Sequence, residues 1–466
     1  MSHSTSSKNS ILSYILILTS GILVRLLLIQ SKTLCNWFRN RVEISTPLTS
    51  WNRVEEGIYL RSNLHQSSYD GDLVHEIPLM IRFYSFLIKI FTQQYIIYSF
   101  VLFDILNATL VHSISRKMIN YLKRVETNNL NSGKYQQLLE SLNNDEKKFN
   151  KFLIVNDSSF NTNYWALFSM SFYLFNPFNL SSCLGMSTVV VHNFILLLWL
   201  YYLINRNNVF ISFLFLALHS NINVYTCVLS IASISFIIQR NNVLNRTQVC
   251  PYLTVAKYMS LFIVLASSLF GLNLYLENFN TRFIECTYLF ILKVTDLVPN
   301  LGLFWYFFTE MFDHFIVFFT VVFQFNAFIY SIPLTLRLRN DPVVNILIQL
   351  GLQAVFKSYP NVGETGLYIS LLPALAYLFP LMRNFLIYTC MLIASTVLAP
   401  IMFYLWLGSG GGNANFYFAI TLVYSVGQIF LLVDVLYSNL KREFIKKNGD
   451  SVPKTLTDTL AIFSLE

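Results

Sequence analysis

The chain has 466 residues, of which 55% are hydrophobic and only 12% are charged. A soluble domain usually carries about a quarter charged residues, so this composition indicates a membrane protein. The net charge of +8 does not indicate nucleic-acid binding, because the basic residues cluster in loops and tails rather than along one face. The six cysteines are scattered without a Cys-x-x-Cys pair, and this spacing fits neither a zinc site nor a disulfide framework.

The first apolar run covers residues 11–29 and is too long for a typical signal-peptide core, so it is predicted to be a retained membrane span. It carries Arg25, which we expect to be paired or to extend toward the interface. A polar stretch, 31–77, follows. Segments 52–64 and 78–92 are predicted to be short interfacial helices, because neither is a clean run of about 20 apolar residues.

A second span is predicted over 95–113, with Asp104 inside it. The hydrophilic segment 117–160 is rich in Asn, Lys, Glu and Ser, which is typical of an exposed, partly disordered loop. Because cytoplasmic loops collect Lys and Arg, we expect this loop and the tail 441–466 to face the cytosol. The loop 31–77 would then be lumenal, although it also carries basic residues.

From residue 163 onward, apolar runs alternate with short polar joints. The runs are 163–180, 186–204, 208–220, 222–238, 255–276, 283–295, 301–308, 312–335, 343–356, 366–382, 384–407 and 414–438. Some are too short to cross a bilayer alone, so roughly ten to twelve spans are expected, several of them tilted or broken. Residues 1–466 are therefore predicted to form a single all-α polytopic membrane domain.

The stretch 296–315 places ionisable residues beside a strongly apolar run. It opens with a proline- and glycine-containing segment, 299–302, that predicts a turn. On one continuous helix Glu310, Asp313 and His314 could share a face, and such a group inside a membrane is a functional hypothesis. The alternative is that they lie at the end of a span, with Glu310 and His314 paired. A single histidine does not predict a zinc site, so we expect this cluster to fix local helix geometry.

A set of motifs in fixed order resembles the PIG-U family, the polytopic subunit of the glycosylphosphatidylinositol (GPI) transamidase. The motifs are Ser50-Trp51 through Glu56-Gly57, Tyr69-Asp70-Gly71-Asp72, His75-Glu76-Ile77-Pro78, Phe175-Asn176-Pro177, the stretch 296–315, Phe356-Lys357-Ser358-Tyr359-Pro360 with Val362-Gly363, Asn413-Ala414-Asn415-Phe416, Ala419-Ile420-Thr421 and Gly427-Gln428. No single motif is decisive, but the ordered set is highly specific. The chain departs from the family in its long 117–160 insert and its glycine-rich 408–412 segment.

The resemblance implies a non-catalytic subunit of a multi-subunit enzyme of the endoplasmic reticulum membrane, and it implies no cofactor or metal. The complex would join a GPI lipid to protein C-termini, with the cysteine nucleophile in a separate peptidase-like subunit. The sequence agrees, because it has no G-x-S-x-G elbow and no plausible Cys–His dyad motif. The resemblance also implies a glycosyltransferase-C-like membrane fold.

That fold supplies an alternative function, a lipid-linked-sugar glycosyltransferase of the GPI pathway. Such enzymes keep acidic residues in the first lumenal loop to bind metal or to deprotonate the acceptor. Asp70 and Asp72, with Glu76 nearby, lie in the corresponding loop, and two carboxylates could hold a divalent ion there. However, Asp-Gly is also ordinary turn chemistry. A transporter or channel with Arg25, Asp104 and the Glu310 cluster on its pathway is a third possibility, but no internal repeat or charged series indicates it.

A GPI carrier needs an apolar groove that opens to the bilayer. The best candidates for this groove are aromatic residues of the 296–315 stretch, which could equally be ordinary core or lipid-facing residues. They are Phe304, Trp305, Phe307 and Phe308.

The carrier also needs polar groups for the GPI head group. Asn413 and Asn415 are the best candidates, because an amide donates to phosphate or hydroxyl oxygens and accepts from an ammonium group. The preceding glycines would let a head group approach the backbone closely. The alternative is that both asparagines cap the last span. Lys357 is a weaker candidate for a phosphate contact.

Overall fold

The structure is a computed structural model that describes residues 2–130, 160–205, 208–244 and 250–448. Every regular element in these ranges is helical, which confirms the all-α prediction. Most of the predicted hydrophilic loop, 131–159, and most of the predicted tail lie outside the described residues.

The helices of the first half differ widely in length. They are α1 (Ser2–Ile29), α2 (Lys32–Arg39), α3 (Trp51–Asn63), α4 (Pro78–Leu130), α5 (Thr162–Phe175), α6 (Pro177–Leu184), α7 (Val189–Ile204), α8 (Val209–Ile222) and α9 (Leu229–Leu244). A 3₁₀ turn, Val224–Val228, joins α8 to α9. The predicted interfacial segment 52–64 is therefore the helix α3.

The second half contains more broken helices. They are α10 (Pro251–Leu276), α11 (Arg282–Ile284), α12 (Phe290–Lys293), α13 (Phe304–Thr309), α14 (Asp313–Ile329), α15 (Ser331–Arg337), α16 (Pro342–Phe356), α17 (Val362–Leu371), α18 (Phe385–Leu407) and α19 (Ala414–Asn448). A π turn, Glu285–Leu289, separates α11 from α12, and a proline-containing 3₁₀ segment, Leu372–Leu381, follows α17.

The long apolar helices identify a polytopic membrane protein. In the described part of the chain, seven helical segments have the length and composition to cross a bilayer: Ser10–Ile29, Pro78–Asn128, Pro251–Leu276, Asp313–Arg337, Val362–Leu381, Phe385–Leu407 and Ala414–Lys446. The apolar helices α7, α8 and α16 are shorter, and α16 is almost entirely buried by its neighbours. The total of ten to twelve spans stays a prediction.

Helix α4 agrees with the sequence prediction at its start and differs from it at its end. At Thr92 the backbone adopts φ 56° and ψ 160°, so a short helical segment precedes the long one, as predicted for 78–92. The helix then continues to Leu130, and 117–130 are therefore helical rather than part of a loop. The polar residue Glu126 is buried there because Arg442 of α19 donates to it from 3.0 Å.

A fully buried ion pair ties the first span to the bundle. Arg25 of α1 lies 2.5 Å from the carboxylate of Asp104 in α4, and both side chains are inaccessible to solvent. Tyr173 donates a further hydrogen bond to Asp104. Charges at membrane depth are stable only when paired in this way, which explains the polar residues inside these two predicted spans.

Candidate functional site

The loop before α13 and the loop after α16 pack against each other at one end of the bundle. The Tyr359 hydroxyl donates to the Asp296 carbonyl at 2.9 Å and accepts from the Asp296 amide at 3.2 Å. A Cβ atom at Gly302 would lie 2.7 Å from the Pro360 ring, so only glycine fits this contact. The 296–315 stretch and the 356–360 motif, both identified in the sequence, are thus in direct contact.

A chain of polar contacts holds the same loop to α3. One guanidinium nitrogen of Arg53 lies 3.0 Å from the Asp296 carboxylate, and the other donates to the ring of His75 at 3.0 Å. His75 in turn donates through Nδ1 to the Cys286 carbonyl at 2.7 Å. The neutral tautomer with a proton on Nδ1 satisfies both contacts. The His75 ring also stacks on Phe290 at 3.5 Å.

Helix α13 presents its aromatic residues to two different clusters. Phe304 and Phe308 are buried and meet Phe323 of α14 in edge-to-face contacts at 5.3 and 5.5 Å. Trp305 is buried on the other side, where its ring lies 6.0 Å from both Trp406 and Tyr417. Three of the four predicted groove residues are therefore packed inside the protein.

Phe307 is the one predicted groove residue with an open ring. It is 45% exposed and contacts Phe323 at 5.3 Å. The neighbouring surface of α14 is also apolar and open, with Phe318 and Val321 both more than half exposed. This open face is a surface that acyl chains could contact, whereas Phe304 and Phe308 are not accessible on it.

An ion pair that the sequence analysis missed lies beneath the start of α19. Arg41 makes two hydrogen bonds to the carboxylate of Glu43, at 3.0 and 2.7 Å, and Tyr417 donates to the same carboxylate. The Arg41 guanidinium also lies 4.8 Å from the centre of the Phe403 ring. The i,i+2 spacing of Arg41 and Glu43 was visible in the sequence, but their partners are more than 300 residues away.

Asn413 and Asn415 are exposed at this end of the molecule. The Oδ1 atom of Asn413 accepts a hydrogen bond from the Asn415 amide at 3.1 Å, so Asn413 caps α19. Asn415 has no side-chain hydrogen bond within the described residues, and its amide faces the surface. Three residues further on, the Phe418 ring stacks on Tyr306 at 4.5 Å. Asn415 and Phe418 therefore lie on one helical face beside α13.

Lys357 is buried and already has a charged partner. Its ammonium group forms an ion pair with Glu364 in the first turn of α17. Lys357 exposes only 4% of its surface, so a phosphate could reach it only after local rearrangement. No hydrogen bond or ion pair among the described residues joins Lys357 to Asn413 or Asn415.

The predicted common helical face of Glu310, Asp313 and His314 is wrong. Helix α13 ends at Thr309 and α14 begins at Asp313, with Phe312 in an extended conformation between them. Asp313 lies in the first turn of α14, where a negative charge interacts favourably with the helix dipole. All three side chains are exposed. The role assigned to this cluster stays a prediction.

The carboxylates of the alternative glycosyltransferase site share one cation. Arg282 lies 3.1 Å from Asp70 and 3.2 Å from Asp72, and Asp70 also accepts from the Ser67 amide. Within 2–130, 160–205, 208–244 and 250–448, no group of three or more His, Cys, Asp and Glu side chains could hold a metal ion. The arrangement of Asp70 and Asp72 is that of a structural ion pair at the surface.

Comparison with known proteins gives one family. The family described as GPI transamidase subunit PIG-U matches residues 19–424. The human GPI-anchor transamidase component PIGU is 34% identical over 436 residues, covering 93% of this chain and 95% of that protein. The GPI transamidase component GAB1 of Saccharomyces cerevisiae is 29% identical over 404 residues, covering 86% of this chain and 88% of that protein. Neither name indicates a glycosyltransferase. The match spans most of both chains, so this protein belongs to the PIG-U family.

Proposed function

We propose that the chain is a non-catalytic subunit of the GPI transamidase complex in the endoplasmic reticulum membrane, where it binds the GPI lipid and presents it to a peptidase-like catalytic subunit. Relatives with near full-length matches are named as components of that transamidase, which implies further subunits. The apolar helices supply the membrane location.

The observation that carries the lipid-binding role is the surface around Asn415. Its exposed amide lies on the same face of α19 as Phe418, which stacks on Tyr306 of α13. The next residue of α13, Phe307, opens onto the apolar face of α14. Hydrogen-bonding groups thus adjoin an open aromatic surface, and a lipid with a phosphorylated glycan head group and acyl chains requires both.

The indole of Trp305 is a second polar group that supports a head-group site beside α13 and α19. The Nε1–H donor of buried Trp305 has no acceptor within the described part of the chain. A buried indole donor normally has a partner, because leaving it unpaired costs roughly 1–3 kcal/mol. Because Trp305 is only 3% exposed, a hydroxyl or phosphate oxygen of the head group would supply this acceptor after a local rearrangement between α13 and α19.

The experiment is a rescue in cells that lack the endogenous subunit. The tagged chain is expressed, the complex is isolated in mild detergent, and its subunits and co-purifying GPI lipid are measured by mass spectrometry. The test variant is Asn413→Ala with Asn415→Ala. The matched control is Asn280→Ala, because Asn280 is also an exposed asparagine whose side chain accepts from a backbone amide two residues on, that of Arg282.

We expect the wild-type chain and the control to recover the peptidase-like subunit together with GPI. The double variant should recover the subunits but lose GPI on the order of a hundredfold, since a hydrogen bond to a charged partner contributes ~1.5–3 kcal/mol. Undiminished GPI in the double variant would reject these asparagines as contacts. Failure of the wild-type chain to recover any partner subunit would reject the proposed function.

A further inference from the structure

A large cavity lies at the opposite end of the bundle from Asn413. It has a volume of about 1140 Å³ and is enclosed by α4, α9, α10, α15 and α19. This exceeds the ~300–1,000 Å³ of ordinary small-molecule pockets. Asn439 of α19 lines it, and 26 residues of helix separate Asn439 from Asn413. At 1.5 Å per residue that is roughly 39 Å, more than the thickness of the hydrocarbon core.

The cavity is built from the terminal turns of helices that can cross the bilayer. Its lining includes the end of α4, the start of α10 at Pro251 and the end of α19. Arg339 and Asp341 come from the short joint between α15 and α16. Because several spans end here together, the cavity lies at a membrane interface, in the leaflet opposite to that of Asn413.

One wall of this cavity is apolar and open to the outside. Val255 of α10 and Ile332 and Leu336 of α15 line it and are 42%, 59% and 68% exposed. These residues belong to two spans whose most apolar stretches are only 17% buried by the rest of the protein. Acyl chains of a lipid in the adjacent leaflet could therefore enter between α10 and α15.

The inner end of the cavity carries an unsatisfied acceptor beside a carboxylate. Asn439 is 1% exposed, and its Nδ2 atom donates to the carboxylate of Asp341 at 3.3 Å. That bond fixes the orientation of the amide, so its Oδ1 atom is an acceptor, and it has no donor among the described residues. A buried acceptor and a carboxylate together match a group with several N–H donors and a positive charge.

The rim of the cavity supplies the opposite charge. Arg339 is exposed and lies two residues from Asp341. A guanidinium group binds phosphate through paired hydrogen bonds. Elsewhere in the wall, the single carboxylate of Glu126 pairs with both Arg442 and Lys446, so each of these cations already has a partner within the protein.

We propose that this cavity binds an ethanolamine phospholipid from the leaflet opposite to the Asn413 end. The ammonium group donates to Asp341 and to Oδ1 of Asn439, the phosphate binds Arg339, and the acyl chains lie along Val255, Ile332 and Leu336. A primary ammonium fits where a trimethylated one does not, because it offers three N–H donors to two acceptors. The site is separate from the GPI surface and does not depend on it.

The test uses the intact complex isolated in detergent. Bound lipid is counted by native mass spectrometry after exchange with dioleoyl phosphatidylethanolamine, phosphatidylcholine or phosphatidic acid, and free phosphoethanolamine serves as a competitor without acyl chains. The variants are Arg339→Ala and Asp341→Asn. The matched control is Arg124→Ala, because Arg124 is an exposed arginine at the same end that does not line the cavity.

We expect the wild-type complex and the control to retain phosphatidylethanolamine at least tenfold more than either other lipid. Arg339→Ala should lower retention of all three lipids, because each carries the phosphate that Arg339 binds, whereas Asp341→Asn should remove the preference for phosphatidylethanolamine. Both variants should still assemble and retain GPI. Equal retention of phosphatidylethanolamine in Arg339→Ala and wild type would overturn the proposal. So would equal retention of phosphatidylcholine by the wild-type complex, or full displacement by free phosphoethanolamine, which would indicate a site for a soluble ligand.

Discussion

The hydroxyl of Tyr417 donates to the Oε1 atom of Glu43 across 3.1 Å, joining the start of the last helix to the loop after α2. Both side chains are buried, and Glu43 is also held by Arg41. This contact positions the first turn of α19, which carries Asn415, against the aromatic cluster around Trp305. The position of Asn415 therefore depends on a loop more than 370 residues away in sequence.

Removing that hydroxyl should loosen the start of α19. We expect Tyr417→Phe to destabilise the chain by about 1.5–3 kcal/mol, because it deletes a buried hydrogen bond to a charged group. The measurement is the midpoint of thermal unfolding of the purified complex. Tyr404→Phe is the control, because Tyr404 is largely exposed. Equal midpoints for the two variants would show that the Glu43 contact contributes nothing.

The exposed residues between α13 and α14 should tolerate substitution. We expect Glu310→Gln to be milder than Glu310→Leu, and both changes to be small, because Glu310 ends a helix at the surface. Asp313→Ala should cost about 0.3–1 kcal/mol through loss of the helix-dipole interaction. Thermal unfolding of the complex measures these changes, and metal analysis accompanies it. Stoichiometric zinc that is lost in His314→Ala would contradict a purely structural role.

Much of the fold follows from local sequence. The apolar runs predicted the long helices, and the Pro299–Gly302 segment predicted the irregular loop before α13. These features depend on composition and on backbone preferences within a few residues. The helix break after Thr309 is not evident from the sequence, because the i,i+3 and i,i+4 spacing of Glu310, Asp313 and His314 also fits one continuous helix.

Contacts between distant segments could not be predicted from local sequence. Residues 117–130 are predicted to be part of a loop but form a helix, in which Tyr121 and Leu122 join the core and Glu126 pairs with Arg442 of α19. The burial of Phe304 and Lys357 depends on α14 and α17 in the same way. Periodicity indicates which face of a helix is apolar, but it does not indicate whether protein or lipid covers that face.

Acid should destabilise the protein through His75. Burial lowers the pKa of His75 to about 4, although its hydrogen bond to the Cys286 carbonyl opposes the shift; nearby Arg53 lowers it further, and Asp296 and Asp72 raise it. Above pH ~6.5 the ring is neutral in both states, so it has no effect on stability. Between ~6.5 and 4 only the unfolded chain binds the proton, so stability falls by about 3 kcal/mol as pH falls.

The measurement is the unfolding midpoint of the complex between pH 7.5 and 4.5. His75→Gln keeps a donor for the Cys286 carbonyl but does not titrate, so its midpoint should fall less steeply with acid than that of wild type. His65→Asn is the control, because His65 is exposed. Identical acid profiles for wild type and His75→Gln would show that another group controls the transition.

Lys357 and Glu364 should behave as a coupled pair. Lys357→Met leaves a partly buried carboxylate without its partner, and breaking a buried pair costs roughly 3–5 kcal/mol. Adding Glu364→Gln should restore most of the lost stability. Lys293→Met is the control, because Lys293 is exposed near the same end. The yield and the unfolding midpoint of each variant measure the coupling between Lys357 and Glu364. The GPI content of the stable double variant shows whether Lys357 also contacts phosphate.

The roles of Asn413 and Asn415 can be tested separately, because only Asn413 caps α19. Asn413→Ser keeps a capping oxygen but removes the amide donors, whereas Asn413→Ala removes both and should cost about 1 kcal/mol of helix stability. Asn415→Ala leaves the cap intact. If both amides contact the GPI head group, Asn413→Ser and Asn415→Ala should each lower bound GPI about tenfold or more without changing the unfolding midpoint.

The measurement pairs surface display of a GPI-anchored reporter with co-purification of the partner subunits and with the unfolding midpoint. A contact role predicts poor display from an intact complex for both Asn413→Ser and Asn415→Ala. If Asn413→Ser matches wild type while Asn413→Ala is merely less stable, Asn413 acts only as the cap and the amide of Asn415 alone faces the lipid. If Asn415→Ala also displays the reporter fully, the search moves to Trp305, whose buried indole donor also has no partner in the described chain.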